Sequence, residues 1–376
     1  MEQIANLSSG NRCQGSSPCL SAFLKLVIKH HSGCSVARSS RLLWEQEVAG
    51  SNPATPTKTF VYLQRFFLYI YFMKSILGSK ESFVSYSVAF LFILIMIGTA
   101  MIYGDKEIIL PEVAALSVGI LTFRENKWLQ RPFHIFLLPS ITAILGFGIN
   151  FLPILLSFKL ALVLVAMLIV LKIFKSQLAP ALATGLLPIV TNAESFVFLY
   201  AIFLFVFLLF LSIKIFKLKP TENAVPMIYT SHNRWLIGLC VVWFAACYFS
   251  GFAHFSAIPP IIVISFESLN NPTLKLTVRL KRILVMFMAT MTGCLTTHYL
   301  DNWLIIGLID LIIVMFILKL TNLRLPPAFA MVILPMILPS DSIKYLPVAT
   351  LIMSIFFMLS IYIIQKVAYP KAIDFK

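Results

Sequence analysis

The chain has 376 residues, of which 59% are hydrophobic and 12% charged, and its formal net charge is +15. Soluble globular proteins carry about 45–50% apolar and about 25% charged residues, so the composition excludes an ordinary soluble domain. Nucleic-acid binding is also excluded, because Lys and Arg lie in short clusters between apolar runs rather than on a basic face interleaved with stacking aromatic residues. The sequence predicts an integral membrane protein whose first partner is the lipid bilayer.

Residues 1–72 are predicted to lie outside the functional protein. The peptide Gly50-Ser51-Asn52-Pro53 can be encoded by GGT-TCG-AAT-CC, which is the T-arm of a tRNA gene. Codons available for 42–46 form a stem around TGG, a proline anticodon, and codons available for 32–34 and 54–56 are complementary. We therefore expect 32–58 to be a translated proline tRNA gene joined to a true start at Met73. The alternative is a disordered cytoplasmic tail, and the DNA sequence would decide between them.

The rest of the chain predicts an all-α polytopic membrane protein with about twelve spans, in a range of about ten to twelve. Its apolar runs are continuous, whereas barrel strands would alternate apolar and polar residues. In the first unit, 73–220, the predicted spans are 83–103, 108–123, 133–152, 154–171, 178–191 and 196–213. In the second unit, 235–376, they are 235–253, 257–269, 283–299, 303–319, 326–339 and 346–365.

The two units are predicted to be an internal repeat. Leu178-Ala179-Pro180-Ala181 resembles Leu325-Pro326-Pro327-Ala328 at a shift of 147 residues. Upstream, at shifts of 147 and 148, further pairs match: Pro111 with Pro259, Lys127 with Lys275, Arg131 with Arg279, Thr142 with Thr290, and Gly146 with Gly293. Matched Pro, Gly, Lys and Arg are informative because apolar runs align by chance.

The distribution of basic residues predicts the topology. With the segment around Lys74 inside, the inner loops and ends hold twenty Lys and Arg, and the outer loops hold three, namely Lys106, Lys159 and Lys344. The positive-inside rule then puts both termini in the cytoplasm. Six spans per unit is an even number, so the two repeats run in parallel through the cytoplasmic membrane, a recurrent plan among transporters.

Four spans, 108–123, 178–191, 257–269 and 326–339, are short. About 14 residues cover only roughly 21 Å of a hydrocarbon core near 30 Å. Each begins at or near Pro, as Pro180 and Pro327 illustrate, and paired short segments of this kind point to a substrate site whose helix N-termini favour anions. The alternative is four ordinary tilted helices packed against longer ones.

Three acidic residues inside predicted spans are candidate functional residues, because ionisable groups are costly in a membrane. Asp310 lies mid-span and is predicted to relay a proton or bind a coupling cation, unless it only forms a hydrogen bond with a neighbouring helix. Glu112 and Glu267 lie near span ends, where the alternative is interfacial snorkelling. Arg131 and Arg279 are a repeat-matched pair, either topology anchors or part of a vestibule that attracts anions.

The second unit resembles the small multi-pass HPP family. The resemblance rests on Ile258-Pro259-Pro260, Ser268-Leu269-Asn270-Asn271-Pro272, Arg279, Gly293 and Leu325-Pro326-Pro327-Ala328. The fusaric-acid-resistance-like exporters have a similar layout. The histidine that gives the HPP family its name is Leu325 here, and Leu178 in the first unit. The resemblance implies transport of anions, nitrite-like in some relatives, or export of organic anions.

The favoured functional hypothesis is a secondary transporter or exporter of small or organic anions. The alternative is a non-transporting membrane scaffold or partner subunit. No HExxH, GxSxG, Walker or GxGxxG motif is present, so neither an enzyme nor a cofactor or metal site is predicted. A transporter would be favoured by a polar cavity at mid-membrane, lined by Asp310 and the four short spans. The sequence does not predict the substrate or the oligomeric state.

Overall fold

The computed structural model describes residues 80–220 and 233–368, and all regular structure in these residues is helical. The predicted all-α class is therefore confirmed. The proposed tRNA-derived segment and the start at Met73 lie outside the described residues. All of the helices below belong to one compact unit.

The first half of the described chain contains six principal helices. They are α1 (Lys80–Tyr103), α2 (Pro111–Ser117), α3 (Pro132–Asn150), α4 (Leu156–Ile173), α5 (Pro180–Val190) and α6 (Val197–Ile215). A π-helical turn, Val118–Thr122, extends α2, and a one-turn helix, Asn126–Leu129, follows it. A 3-10 turn, Lys106–Ile108, precedes α2.

The second half of the described chain also contains six principal helices. Its principal helices are α7 (Asn233–Phe249), α8 (Pro259–Leu269), α9 (Leu276–Tyr299), α10 (Trp303–Thr321), α11 (Pro327–Ile333) and α12 (Leu346–Ala368). Shorter pieces are the 3-10 turns Ala253–Phe255 and Leu334–Met336 and the one-turn helix Ser340–Ile343. Each predicted span overlaps one principal helix.

The helix bounds differ from several of the predicted spans, and three of these differences have a clear local cause. Helix α9 begins at Leu276 rather than 283, because its basic first turns are good helix formers even though they are too polar to belong to an apolar run. Helix α7 ends at Phe249 rather than 253, just before Gly251 at φ +79. Helix α11 ends at Ile333 and tightens into a 3-10 turn that contains Pro335.

Among the described residues, six helices are long and apolar enough to cross a membrane: α1, α3, α4, α6, α10 and α12. In their most apolar windows only 33–44% of the residues are buried, so much of each helix faces outward. Outward-facing positions of α1, α4 and α6 are apolar, such as Leu91, Phe158 and Leu204. This pattern suits contact with lipid, and the chain is a helical membrane protein.

The four short helices α2, α5, α8 and α11 form the centre of the bundle. They contact one another in a closed ring, α2 on α5, α5 on α8, α8 on α11 and α11 on α2. Every residue of α2 and α11 is buried, as are nearly all residues of α5 and α8. Each begins with Pro, whose missing N–H belongs to the first turn, where no intrahelical acceptor exists.

The packing within one half recurs in the other. Helix α3 contacts α4, α5 and α6, just as α9 contacts α10, α11 and α12. Across the halves, α1 contacts α10 as α7 contacts α4, and α2 contacts α11 as α8 contacts α5. The left-handed residues that follow α4 and end α10, Lys175 and Asn322, are also 147 positions apart.

Two matched glycines allow the closest of these contacts. A Cβ atom on Gly146 of α3 would clash with the carbonyl of Gly185 in α5, and a Cβ atom on Gly293 of α9 would clash with the carbonyl of Val332 in α11. Both contacts lie at the same place in the two halves, because Gly185 and Val332 are also separated by 147 residues. Because glycine has no side chain, the backbones of α3 and α9 can pack directly against the central ring at these positions.

Candidate functional site

A polar cavity of about 200 Å³ lies where α2 and α8 end and where α5 and α11 begin. We refer to it as the inner cavity, because every loop that contributes to it is predicted to be cytoplasmic. Its lining consists of Glu125, Lys127, Trp128, Gln177, Phe266, Glu267, Asn270, Asn271, Arg282, Arg324 and Pro326.

Short-range structure positions these side chains. The one-turn helix Asn126–Leu129 turns the chain at the end of α2 and brings Lys127 and Trp128 to the cavity. Arg282, in the second turn of α9, donates an Nη1 hydrogen bond of 2.8 Å to Ser268 Oγ in α8. This bond fixes the guanidinium beside the last turn of α8, from which Glu267 lines the same cavity.

The inner cavity is electrostatically mixed, with a positive balance. Lys127, Arg282 and Arg324 face Glu125 and Glu267, so three cations meet two carboxylates when all are ionised. Burial raises the pKa of Glu125 above its ordinary value, and the charges of Arg324, Lys127 and Arg282 offset part of that rise. Protonation of Glu125 makes the cavity more positive, so its attraction for anions increases as the pH falls.

At the opposite end of the central ring lies a smaller, apolar cavity of about 70 Å³, near the end of α5 and the start of α8. Its lining includes Val190, Ile258 and Leu334. Helices α2 and α8 begin at this end and α5 and α11 begin at the other. Only two of the four predicted helix N-termini therefore face the inner cavity.

Asp310 is buried in the middle of α10, away from both cavities. Its Oδ1 accepts a hydrogen bond of 2.8 Å from Thr296 Oγ1 of α9, and its Oδ2 is buried with no hydrogen-bond partner among the described residues. Asp310 does not line either of these two cavities, so the polar mid-membrane cavity around it stays a prediction. One turn away, Ile306 lines a polar cavity of about 430 Å³ at the predicted outer surface, with Thr297 and Asp301.

The remaining acidic and proline candidates lie on the central ring. Glu112, in the first turn of α2, is 2% exposed, and its Oε1 has no hydrogen-bond partner among the described residues. Pro180 and Pro327 are the buried first residues of α5 and α11. The structure places these two prolines at the inner end of the ring and Glu112 at the opposite end.

The repeat-matched arginines have different surroundings. Arg131 is exposed and donates a 2.9 Å hydrogen bond from Nη1 to the carbonyl of Phe174, which ties the start of α3 to the end of α4. Arg279 is fully buried, and its Nη2 donates to Gln365 Oε1 of α12 while Nε donates to the Leu274 carbonyl over 3.3 Å. Neither lines the inner cavity.

Gln365 extends the contacts of Arg279 into the central ring. Its Nε2 donates to the carbonyls of Ser268 and Leu269, over 3.0 Å and 2.9 Å, at the end of α8. Both carbonyls belong to the last turn of α8, where the regular helical donors run out, and the Ser268 carbonyl also accepts from the Asn271 N–H over 3.2 Å. Arg279 therefore acts through Gln365 as a positioning residue for the end of α8, and it is not part of the cavity wall.

Among the seven site candidates named from the sequence, the inner cavity contains only Glu267. Of the cations that line it, Lys127 entered the sequence argument as a repeat match to Lys275, and Arg282 and Arg324 entered only among the basic residues of the inner loops. Their common signal is that each lies within the first two turns of a helix or in a loop, close to the end of a short Pro-led helix. Asn270 and Asn271, which belong to the motif of the HPP resemblance, also line the cavity.

Comparison of the chain with protein-family models, with curated proteins and with solved structures found no match.

Proposed function

We propose that the protein is a secondary transporter or exporter of small or organic anions in the cytoplasmic membrane, with both termini in the cytoplasm. The observation that carries the proposal is the inner cavity, a polar pocket at one end of four buried short helices in which cations outnumber carboxylates. Cavities lined by one predominant charge concentrate ions of the opposite charge. A volume of about 200 Å³ suits an inorganic oxyanion or a small carboxylate.

The proposal includes twelve spans arranged as two parallel six-helix repeats. It is supported by the recurring contacts of α1–α6 and α7–α12, by the matched seats of Gly146 and Gly293, and by the Pro-led start of each central helix. Transporters built from repeats bind substrate where the repeats meet, typically between interrupted helices. The ring of α2, α5, α8 and α11 is that meeting place in this fold.

The two ends of the ring suggest a direction of opening. The inner end holds a polar cavity of about 200 Å³, and the outer end holds an apolar one of about 70 Å³. This arrangement suits an inward-open state in which a cytoplasmic anion enters before the ring rearranges. Asp310, whose second carboxyl oxygen has no partner among the described residues, is the proposed proton-relay or coupling residue.

Flux through reconstituted vesicles tests this function. We expect the full chain to increase nitrite or benzoate efflux above that of protein-free vesicles. Arg282→Gln should reduce the flux roughly tenfold or more, because a charge-assisted hydrogen bond contributes about 1.5–3 kcal/mol. Lys175→Gln is the matched control, since Lys175 is exposed on the same predicted face outside the cavity. Asp310→Asn should remove the dependence of flux on an imposed proton gradient.

The second candidate is a non-transporting membrane scaffold or partner subunit. It is favoured by the apolar packing of the central ring, in which α2 and α11 are buried along their whole lengths. A scaffold would show no flux for any anion, and Arg282→Gln would leave vesicle permeability unchanged. Flux that is equal in the wild type and in Arg282→Gln would rule out the inner cavity as the entry site.

A further inference from the structure

A second polar cavity, of about 660 Å³, lies beside the inner cavity but opens between different helices. We refer to it as the interfacial cavity. It is bounded by the first turns of α1, the residues after the π-helical turn of α2, and the last turn of α10. Among the residues that line these two cavities, only Arg324 lines both.

The charges of the interfacial cavity have one sign. Arg124, Lys319 and Arg324 line it, all three are exposed, and its lining among the described residues includes no carboxylate. Arg324 also acts on Glu125 in the neighbouring inner cavity. Arg124 and Lys319 form no ion pair with another described residue, so their charges are available to an outside anion.

The position of the cavity favours a lipid over a free ion. Leu318 and Leu323 contribute apolar wall, so the cationic mouth continues into a surface suited to a hydrocarbon chain. Next to it, Leu320 of α10 is 67% exposed and Val84 of α1 is 51% exposed, as expected for positions that contact acyl chains. A headgroup bound at this mouth would therefore have its acyl chains beside the apolar outer surface of α1 and α10.

The backbone at the mouth is held by two helix-ending turns. Arg124 has φ +49 just after the π-helical turn, and Asn322 has φ +53 as the left-handed cap of α10. The Asn322 N–H donates to the carbonyls of Leu318 and Lys319, which closes the end of α10 beside the cavity. The cationic groups are thus carried by ordered helix ends rather than by a long loop.

We propose that the interfacial cavity binds the phosphate headgroup of an anionic phospholipid, with Arg124 and Lys319 as its principal ligands. The shared chemistry is a phosphate oxyanion, and the apolar wall assigns it to a lipid rather than to inorganic phosphate. Basic pockets between helices at the cytoplasmic surface recognise anionic headgroups in this way. This inference concerns a separate cavity and does not depend on the proposed transport function.

The test measures lipid retention by the full chain. Purified protein in nanodiscs of phosphatidylcholine containing a minor fraction of phosphatidylglycerol is analysed for bound phosphatidylglycerol by native mass spectrometry. We expect R124Q/K319Q to lower its apparent affinity roughly tenfold to thirtyfold, since each basic residue near the surface contributes about 1 kcal/mol. The matched control is K175Q/K217Q, which removes two exposed lysines that also have positive φ and follow helix ends.

The outcomes separate the sources of the phosphate. An affinity loss in R124Q/K319Q with little change in K175Q/K217Q, and no competition by inorganic phosphate at millimolar concentration, supports the lipid site. Equal losses in both double variants would show a general surface-charge effect and overturn the proposal. Displacement of phosphatidylglycerol by inorganic phosphate would overturn the lipid assignment, as would unchanged affinity in R124Q/K319Q when circular dichroism shows that it is folded.

Discussion

At the scale of single residues, the buried ionisable groups differ in how their polar atoms are satisfied. Asp310 has one bonded and one unpartnered carboxyl oxygen among the described residues. Arg279 has two of its nitrogens bonded, and Nη1 is left without a hydrogen-bond partner among those residues. The guanidinium also faces the ring of Tyr362, 5.8 Å from the ring centre. A group this deeply buried is retained at an energetic cost, which is offset only while its partners stay in place.

The first prediction concerns this buried arginine. Arg279→Met should lower the free energy of unfolding by about 2–3 kcal/mol, because it leaves Gln365 Oε1 buried without a donor and loosens the end of α8. Arg131→Met is the repeat-matched control and should change it by less than about 1 kcal/mol, since Arg131 is exposed and donates to one carbonyl. Thermal unfolding in detergent measures both, and equal effects would contradict the structural role of Arg279.

The second prediction concerns pH. The raised pKa of Glu125 means that it becomes neutral at a higher pH than an ordinary glutamate does, while Lys127, Arg282 and Arg324 stay charged. Glu267 also faces the cavity. Binding of nitrate, which stays ionised, should therefore strengthen as the pH falls. Removal of one nearby negative charge is expected to contribute about 1 kcal/mol, or roughly fivefold in affinity.

Glu125→Gln provides the check on this assignment. The variant should bind nitrate at neutral pH about as tightly as the wild type does at acidic pH, and its remaining pH dependence should be shallower. Isothermal titration across the pH range gives both quantities. A variant profile that coincides with that of the wild type would show that Glu125 does not control the charge of the cavity.

At the scale of elements, the four short helices are defined by what surrounds them. A helix of 7 residues such as α2 or α11 is marginal in isolation, because nucleation is costly and few hydrogen bonds follow it. Contacts within the ring and with the outer helices bury every residue of α2 and α11. Tertiary packing, rather than intrinsic propensity, therefore stabilises the segments that carry the candidate site.

The third prediction tests this packing. Gly146→Ala should destabilise the protein by about 1–3 kcal/mol, because the new methyl group meets the Gly185 backbone, which cannot rotate away. Gly148→Ala is the control in the same helix and should be neutral or slightly stabilising, since nothing lies within 4 Å of its added Cβ and Ala favours helix. Gly293→Ala should behave like Gly146→Ala if the two halves are equivalent, and thermal unfolding in detergent compares the three variants.

At the scale of the whole molecule, the halves contact each other through the same pairs of helices. The packing of α1 on α10 corresponds to that of α7 on α4, and α2 on α11 corresponds to α8 on α5. The buried networks do not follow this symmetry, because Arg279 and Asp310 have no buried ionic counterparts at Arg131 and Val163. The second half carries the more polar interior, and the two halves are not interchangeable.

The fourth prediction concerns orientation. In a background without reactive native cysteines, single cysteines at Lys344 or Lys106 should react with an impermeant maleimide added to intact cells. Cysteines at Lys175 or Lys281 should react only after the membrane is permeabilised, because the inner loops hold most of the basic residues. Reaction of Lys175→Cys in intact cells would contradict parallel repeats with cytoplasmic termini.

Local patterns were sufficient for the helical fold. Continuous apolar runs predicted a principal helix at each of twelve places, and Pro at the first turn located the starts of the short ones. The start of α9 was missed because a hydropathy boundary marks where a chain leaves the apolar layer, whereas a helix continues as long as its backbone hydrogen bonds do. The Lys and Arg residues at the ends of the apolar runs also predict a topology, which stays a prediction.

Which side chains meet was decided by the tertiary structure alone. Arg131 and Arg279 match in sequence, yet one is exposed and the other is buried against Gln365, 86 residues away along the chain. In the sequence, Lys127, Arg282 and Arg324 are separate basic residues. The ring of α2, α5, α8 and α11 brings them to one cavity. Hydrophobic periodicity reports only how each helix is partitioned between lipid and interior, whereas the pairing of distant helices depends on side-chain shape and close backbone approach, as at Gly146 and Gly293.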